Sequence, residues 1–383
     1  MRILKYSPNL YRHYLSMKIK LSNSSVSLMK LFIVVAIFSC SPFLQLKAQF
    51  GDLGSNRVAT STFQFLKIGV GAREVAMAET GISISKDANA LFWNPSHITY
   101  IPTYSSSFSY NMWYADIYQT ALAATFKLDA LSSFQVESDY LKFVENIVKT
   151  LGYLNYGISV NYLSTDAMER RTTYQPFGTG EKFNFYDAAF GLTIATQMTE
   201  QFSFGLTTKY VKEKIAEIDY STVLIDLGMT YIMDENDTKL SIALMNFGGR
   251  SNPNGDIKVG DIDQPVTTFQ EYNAASNFRL GFSYVAFKNE DNSILTCVQL
   301  NHPNDGAENY SVGAEYGYSQ TFFLRTGLKL NVEGQNIPSF GFGLNKQLIT
   351  FDTKIDYGVS FIDKLGFAHR LTLSISLPEG DAR

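Results

Sequence analysis

The sequence predicts an all-β fold: a fourteen-stranded antiparallel transmembrane β-barrel with an N-terminal hatch, or plug. Three observations carry that expectation. From residue 104 onward the chain repeats one unit, about ten residues alternating apolar with small or polar and then a turn. The connections between units alternate between short and long. Beyond the first apolar run no stretch approaches the roughly 18 residues of a spanning helix, so membrane insertion must be by a closed barrel.

The chain begins with an export signal. Leu31-Phe-Ile-Val-Val-Ala-Ile-Phe38 is too short to span a bilayer; Lys30 precedes it and Ala48 follows. Read from Met29, residues 29–48 form a signal peptide, and residues 1–28 an upstream extension. The rival is a lipoprotein cut before Cys40, against which Phe38 counts. Removal of the signal leaves Cys297 as the mature chain's one cysteine, read as a small strand residue.

Residues 49–103 have a different texture. Gly51, Gly54, Gly69, Gly71 and Gly81 break short apolar pieces, and Ala88-Asn-Ala-Leu-Phe-Trp-Asn-Pro95 reads as a short helix stopped at Pro95. Such a segment before a barrel is suited to fill its lumen. In the hatch, Gly69, Gly71, Trp93, Asn94 and Pro95 are the candidate structural residues, with Trp93 buried and Asn94 bonded to backbone.

The barrel is expected over 104–377, followed by a tail at 378–383. Its strands fall near 104–112, 117–128, 153–165, 185–197, 202–215, 221–233, 238–248, 277–287, 293–302, 310–318, 321–331, 339–346, 349–361 and 369–377. In the clearest of them Val223, Ile225, Leu227, Met229 and Tyr231 share one face, and Leu224, Asp226, Gly228 and Thr230 the other. Short connections near 198–201, 234–237, 288–292, 319–320 and 347–348 are assigned to the periplasm. The generally longer ones near 166–184, 216–220, 249–276, 303–309, 332–338 and 362–368 are assigned outside, with both termini periplasmic. Residues 129–152 break the rule. Tyr140, Leu141, Val144, Ile147, Val148 and Leu151 are spaced for an amphipathic helix over 139–151, read first as a cap on the barrel end and second as a docking surface.

Composition agrees with lipid-facing strands. Charged residues are 18% and aromatics 14%, against roughly 25% charged in an average soluble domain. A net charge of −4 gives no basic field for nucleic acid. The four histidines are too far apart for a zinc pair, Gly69-Val-Gly71 is followed by Glu74 where a phosphate loop needs glycine, and no nucleophile elbow surrounds a serine. No metal, cofactor or catalytic residue is therefore expected. Asp226, Arg279, Glu315, Arg325, Lys329, Lys354 and Asp356 fall on inward faces, read first as ion pairs holding the hatch and second as a substrate path. A charged lumen is a poor conduit for a fatty acid.

Two stretches carry a family resemblance. Phe63-Gln-Phe-Leu-Lys-Ile-Gly-Val-Gly-Ala-Arg73 and Asp87-Ala-Asn-Ala-Leu-Phe-Trp-Asn-Pro95 resemble the start of PorV/PorQ family proteins, themselves similar to the fatty-acid transporter FadL. Leu365-Gly-Phe-Ala-His-Arg-Leu-Thr-Leu373 is similar to the family's last strand. The sequence departs in having Ser96 where the hatch element has alanine, and in ending without a terminal aromatic. The resemblance implies an outer-membrane component of the type IX secretion system. Its partners would be outer-membrane lipid, secretion-system proteins and secreted proteins with C-terminal signal domains. The alternative it implies is a FadL-like channel for hydrophobic small molecules. Phe269 and Tyr272, on the long 249–276 connection, are the candidate partner-binding aromatics.

Overall fold

The computed structural model describes residues 60–101, 103–128, 152–234, 237–251, 253–255, 270–335, 337–348 and 351–377. The signal peptide, the tail, the 139–151 helix and Phe269 lie outside the described residues.

Fourteen strands close into one antiparallel barrel. In chain order they are β1 (Tyr104–Met112), β2 (Ile117–Lys127), β3 (Asn155–Thr165), β4 (Phe185–Gln197), β5 (Phe202–Ile215), β6 (Ile218–Ile232), β7 (Lys239–Gly248), β8 (Asn277–Lys288), β9 (Asn292–Pro303), β10 (Asn309–Tyr318), β11 (Phe322–Leu330), β12 (Ser339–Leu348), β13 (Phe351–Ile362) and β14 (Gly366–Ser376). The barrel closes where β14 pairs with β1, from His369 opposite Met112 to Ser376 opposite Ser105. Closure leaves no open sheet edge, which lipid would not tolerate.

The period-two pattern sets the two faces. In β6, Leu224, Asp226 and Thr230 are buried toward the lumen, while Val223, Ile225, Met229 and Tyr231 are exposed on the outside. The same outward exposure of large apolar residues runs around the wall, through Leu122, Ile158, Leu192, Phe282, Val298, Leu324, Phe342 and Leu371. An apolar belt on a closed barrel is the surface a bilayer solvates. No described helix is long and apolar enough to cross a membrane. The protein is an outer-membrane β-barrel.

Residues 60–101 fill the lumen. A two-residue strand, Ser61–Thr62, pairs in parallel with Asn273–Ala274 of the long loop, and Arg250–Ser251 completes this small sheet. The chain then descends through a 3-10 turn (Gln64–Lys67) and the short helix α1 (Ala72–Ala76). Further 3-10 turns at Gly81–Ser83, Ala88–Phe92 and Pro95–Tyr100 lead into β1. Inward-facing wall glycines make room for it: a Cβ at Gly205 or Gly228 would strike Pro95, one at Gly327 would strike Met77 and Ala78, and one at Gly358 would strike Ala72.

Four details differ from the sequence reading. The hatch enters at the long-loop end, not the short-turn end, because Ser61–Thr62 add to the loop's own strand. Pro95 does not stop a helix but opens the next 3-10 turn, where its missing N–H costs nothing. The external connection at 216–220 is tight, because β5 and β6 extend until only residues 216–217 separate them. A further short connection, 113–116, lies at the same end. One irregularity bends the wall: the β6–β7 register shifts between Leu244 and Phe247, with Asn246 at a left-handed φ of 58°.

Candidate functional site

The hatch is tied to the wall by buried polar groups. Arg73 donates to Glu315 through Nε (2.7 Å) and a terminal nitrogen (2.8 Å). Arg325 donates to the same carboxylate at 2.6 Å and to Asp356 at 2.6 Å, giving an Arg–Glu–Arg–Asp ladder across β10, β11 and β13. Lys329 pairs with hatch Glu79 at 2.8 Å. At the loop end Asp305 receives Lys67 (2.9 Å) and Gln64 (2.6 Å) and also bonds Ser61. Burial alone would raise the Asp305 carboxyl; the hydrogen bonds from Gln64, Ser61 and Lys67 outweigh that and hold it below the usual aspartate range.

The hatch motif forms the middle of the plug. Trp93 is 1% exposed and donates its indole N–H to the Val70 carbonyl at 2.8 Å. Its ring lies against Gly81 on one side, and the Arg279 guanidinium sits 4.9 Å from its centroid. Asn94 caps the Pro95 turn. Its carbonyl oxygen accepts from the Ser96 N–H, and its amide donates to the Ile82 carbonyl and the Thr230 hydroxyl. The hydroxyl of Ser96, the departure from the resembled motif, also bonds Asn94 (2.7 Å) and Thr230 (2.8 Å). Gly71, at φ 90°, precedes α1 with Glu74 packed where a side chain would be. A Cβ at Gly69 would meet Val75 and Glu79.

Beyond the Lys329–Glu79 pair, the predicted inward charges separate into three sets. Glu315, Arg325 and Asp356 are the ladder. Asp226 is paired with Lys209 at 2.6 Å and accepts the Asn246 backbone N–H, securing the bulge. Arg279 and Lys354 have no ion pair among the described residues. Arg279 is stacked on Trp93 with two of its nitrogens unbonded, and Lys354 faces a chamber at the short-turn end.

The plug leaves two chambers, one toward each end. The short-turn chamber, about 770 Å³, is lined by Arg73, Lys86, Asp237, Glu315, Lys354 and Asp356 among others. The loop-end vestibule, about 580 Å³, is walled by Phe63, Phe65, Ile68, Trp113, Ile117 and Phe185, with Tyr220 and Tyr272 at its rim. No residue lines both. Between them a void of about 30 Å³ beside Trp93, Lys209 and Arg279 has room for a water or two. Tyr272, expected as a partner-binding aromatic on an outer loop, is thus part of the vestibule.

Two vestibule residues were not singled out by the sequence reading. Asp187 on β4 and Glu213 on β5 stand directly opposite each other across the strand pair, both facing inward. Asp187 is 3% exposed, and its Oδ1 has no hydrogen-bond partner; Glu213 accepts, among the described residues, the Phe63 backbone N–H alone, at 3.2 Å. The signal was present as polar positions on the inward parity, but Phe185 and Ala189 share that parity and mask it. Among the described residues no group of three or more His, Cys, Asp and Glu is placed to hold a metal ion.

No family model and no curated protein matches the sequence. Solved structures similar in shape include the Pseudomonas putida toluene transporter TodX, at 13% identity and TM-score 0.49 over 80% of this chain and 97% of that one. The Ralstonia pickettii toluene transporter TbuX is 12% identical, TM-score 0.48, over 80% and 97% of the two chains. The monoaromatic hydrocarbon channel CymD is 14% identical, TM-score 0.45, over 81% and 97%.

Proposed function

We propose that this protein takes up hydrophobic small molecules through the outer membrane, with the loop-end vestibule as the capture site and the hatch as the gate beneath it. The observation that carries this reading is the vestibule itself. Its mainly aromatic and aliphatic lining borders an open concavity of about 580 Å³, within the 300–1,000 Å³ typical of small-molecule sites. It opens at the loop end and is floored by hatch residues Phe63, Phe65 and Ile68. A molecule seated there touches the hatch directly, so its binding energy bears on the segment that must shift for passage.

The secretion reading rests on the sequence resemblance alone. Of its two candidate aromatics, Phe269 is outside the described residues and Tyr272 contributes to the vestibule.

Titration of the protein in nanodiscs with a neutral aromatic fluorophore, N-phenyl-1-naphthylamine, tests the uptake reading. We expect saturable binding above empty nanodiscs. It should weaken in Phe185→Ala and Ile117→Ala, and be untouched by Lys354→Ala in the other chamber. Binding no stronger than to empty nanodiscs, or equal in all variants, rejects it.

A further inference from the structure

We infer that the vestibule selects lipophilic cations, organic ammonium compounds with an aromatic or short aliphatic body, over neutral hydrocarbons and carboxylates. The inference rests on the uptake reading above and names its substrate class.

The observation is a pair of carboxylates with no cation among the described residues. Asp187 and Glu213 are register partners on adjacent antiparallel strands, where side chains stand about 5 Å apart and like charges repel. Asp187 is buried with an unpartnered oxygen, and both residues line the vestibule. An unpaired carboxylate in an apolar wall is costly unless something compensates it.

No described cation forms an ion pair with Asp187 or Glu213. Lys209 is on Asp226 (2.6 Å), Lys67 on Asp305 (2.9 Å) and Lys212 on Asp219 (3.4 Å). Lys212 and Lys214, the neighbours of Glu213 along β5, take the opposite face of the strand by alternation. Arg370 lies over the Trp113 ring and bonds Ser360. A proton shared between the two carboxylates still leaves the pair one negative charge, which has no counter-ion among the described residues and is surrounded by aromatic rings.

An organic ammonium supplies what is missing. Its N–H groups or its charge meet the Asp187–Glu213 pair, and its body replaces water against Phe185, Ile117 and Phe65. Tyr220 at the rim offers a π face to the same cation. A fatty acid would bring a further carboxylate to that charge, and a neutral hydrocarbon would leave it uncompensated.

The test is calorimetry on the full chain in nanodiscs with three matched probes: 1-naphthylmethylammonium, 1-naphthalenemethanol and 1-naphthylacetate. The ammonium should bind about tenfold to a hundredfold more tightly than the alcohol, the range that one or two charge-assisted contacts supply, and the acetate weakest. In Asp187→Asn/Glu213→Gln, which keeps shape and hydrogen-bonding capacity, the ammonium should fall to the alcohol's affinity while the alcohol is unchanged.

Equal binding of alcohol and ammonium to the native protein overturns the cation preference and leaves the uptake reading standing. A preference that survives the double substitution overturns the assignment to these carboxylates. Displacement of the ammonium by millimolar Ca²⁺, lost in the double variant, would make the pair an inorganic cation site and overturn the amine class. Absence of binding by all three probes overturns the uptake reading and this inference together.

Discussion

Replacing Glu315 by glutamine should loosen the hatch without harming the barrel. Glu315 accepts three charge-assisted hydrogen bonds, two from Arg73 of the hatch (2.7 and 2.8 Å) and one from Arg325 of the wall (2.6 Å). Glutamine keeps the volume but removes the charge and presents an amide N–H to one of two guanidiniums. Breaking a fully buried pair costs about 3–5 kcal/mol, mostly as an uncompensated charge. Here the lower end applies. Arg73 and Glu315 both line the short-turn chamber, where water can re-solvate the freed guanidinium. Arg73 also keeps the Ile84 carbonyl at 2.6 Å, and Arg325 keeps Asp356 at 2.6 Å. About 3 kcal/mol corresponds to roughly a hundredfold shift in the equilibrium between seated and displaced hatch.

The fourteen-strand ladder is untouched by the change, so the heat-modifiability of the barrel should stay native. Hydrogen exchange of backbone amides in 72–86 reads the effect. Their protection should fall by about the same hundredfold, while strand amides keep theirs. Lys354→Gln is the control, a charge removed from the same chamber with no ion pair among the described residues to lose. Unchanged protection in Glu315→Gln, or an equal loss in Lys354→Gln, would refute the claim that the ladder seats the hatch.

Three further expectations follow from the same geometry. Trp93→Ala should remove the indole bond to Val70 and the stack with Arg279, cost the hatch about 3–5 kcal/mol, and appear in planar bilayers as raised conductance; native conductance would refute it. Acid should release the loop-end tie. Asp305 is held below the usual aspartate range, so its contribution is full above its unfolded pKa of about 3.9 and is lost as pH falls through the lower folded value. Proteolysis of 60–68 should be flat from neutral down to about pH 4 and rise below it, and Asp305→Asn should show the raised susceptibility already at neutral pH. A cysteine replacing the exposed Tyr174 should be labelled by an impermeant maleimide on intact cells, and one at Asn289 should not, in a Cys40→Ser background where Cys297 is buried; the reverse labelling would invert the barrel.

Much of this architecture was legible in the sequence, for a physical reason. A spanning strand solvated by lipid on one side and by a packed lumen on the other must alternate, so Val223–Tyr231 and Phe351–Phe361 reveal both their existence and their facing. The ends of strands were less legible, because beyond the lipid the outer face is free to be polar. β6 therefore begins at Ile218, through Asp219 and Ser221, ahead of the apolar alternation. The hatch was legible as texture only. Its turns are fixed by contacts far along the chain, such as Asn94 to Thr230 and Arg73 to Glu315, which no local pattern encodes.

The same limit explains what the sequence concealed about the site. Asp226, Glu315 and Asp356 stood out as inward charges, and the structure finds each matched by a cation brought from another strand. Asp187 and Glu213 have the same parity, yet among the described residues no cation pairs with them. Alternation can place a carboxylate in the lumen; only tertiary structure can show whether it is paired. Among the described wall carboxylates that face inward, Asp226, Glu315 and Asp356 are paired, whereas Asp187 and Glu213, which line the open aromatic end, are not. Charges already compensated within the fold have little to offer a ligand, whereas a buried acceptor left unsatisfied beside an open chamber gains by every donor that enters. That contrast separates the structural half of the lumen from its recognising half, and it is why the cargo is sought at the loop end.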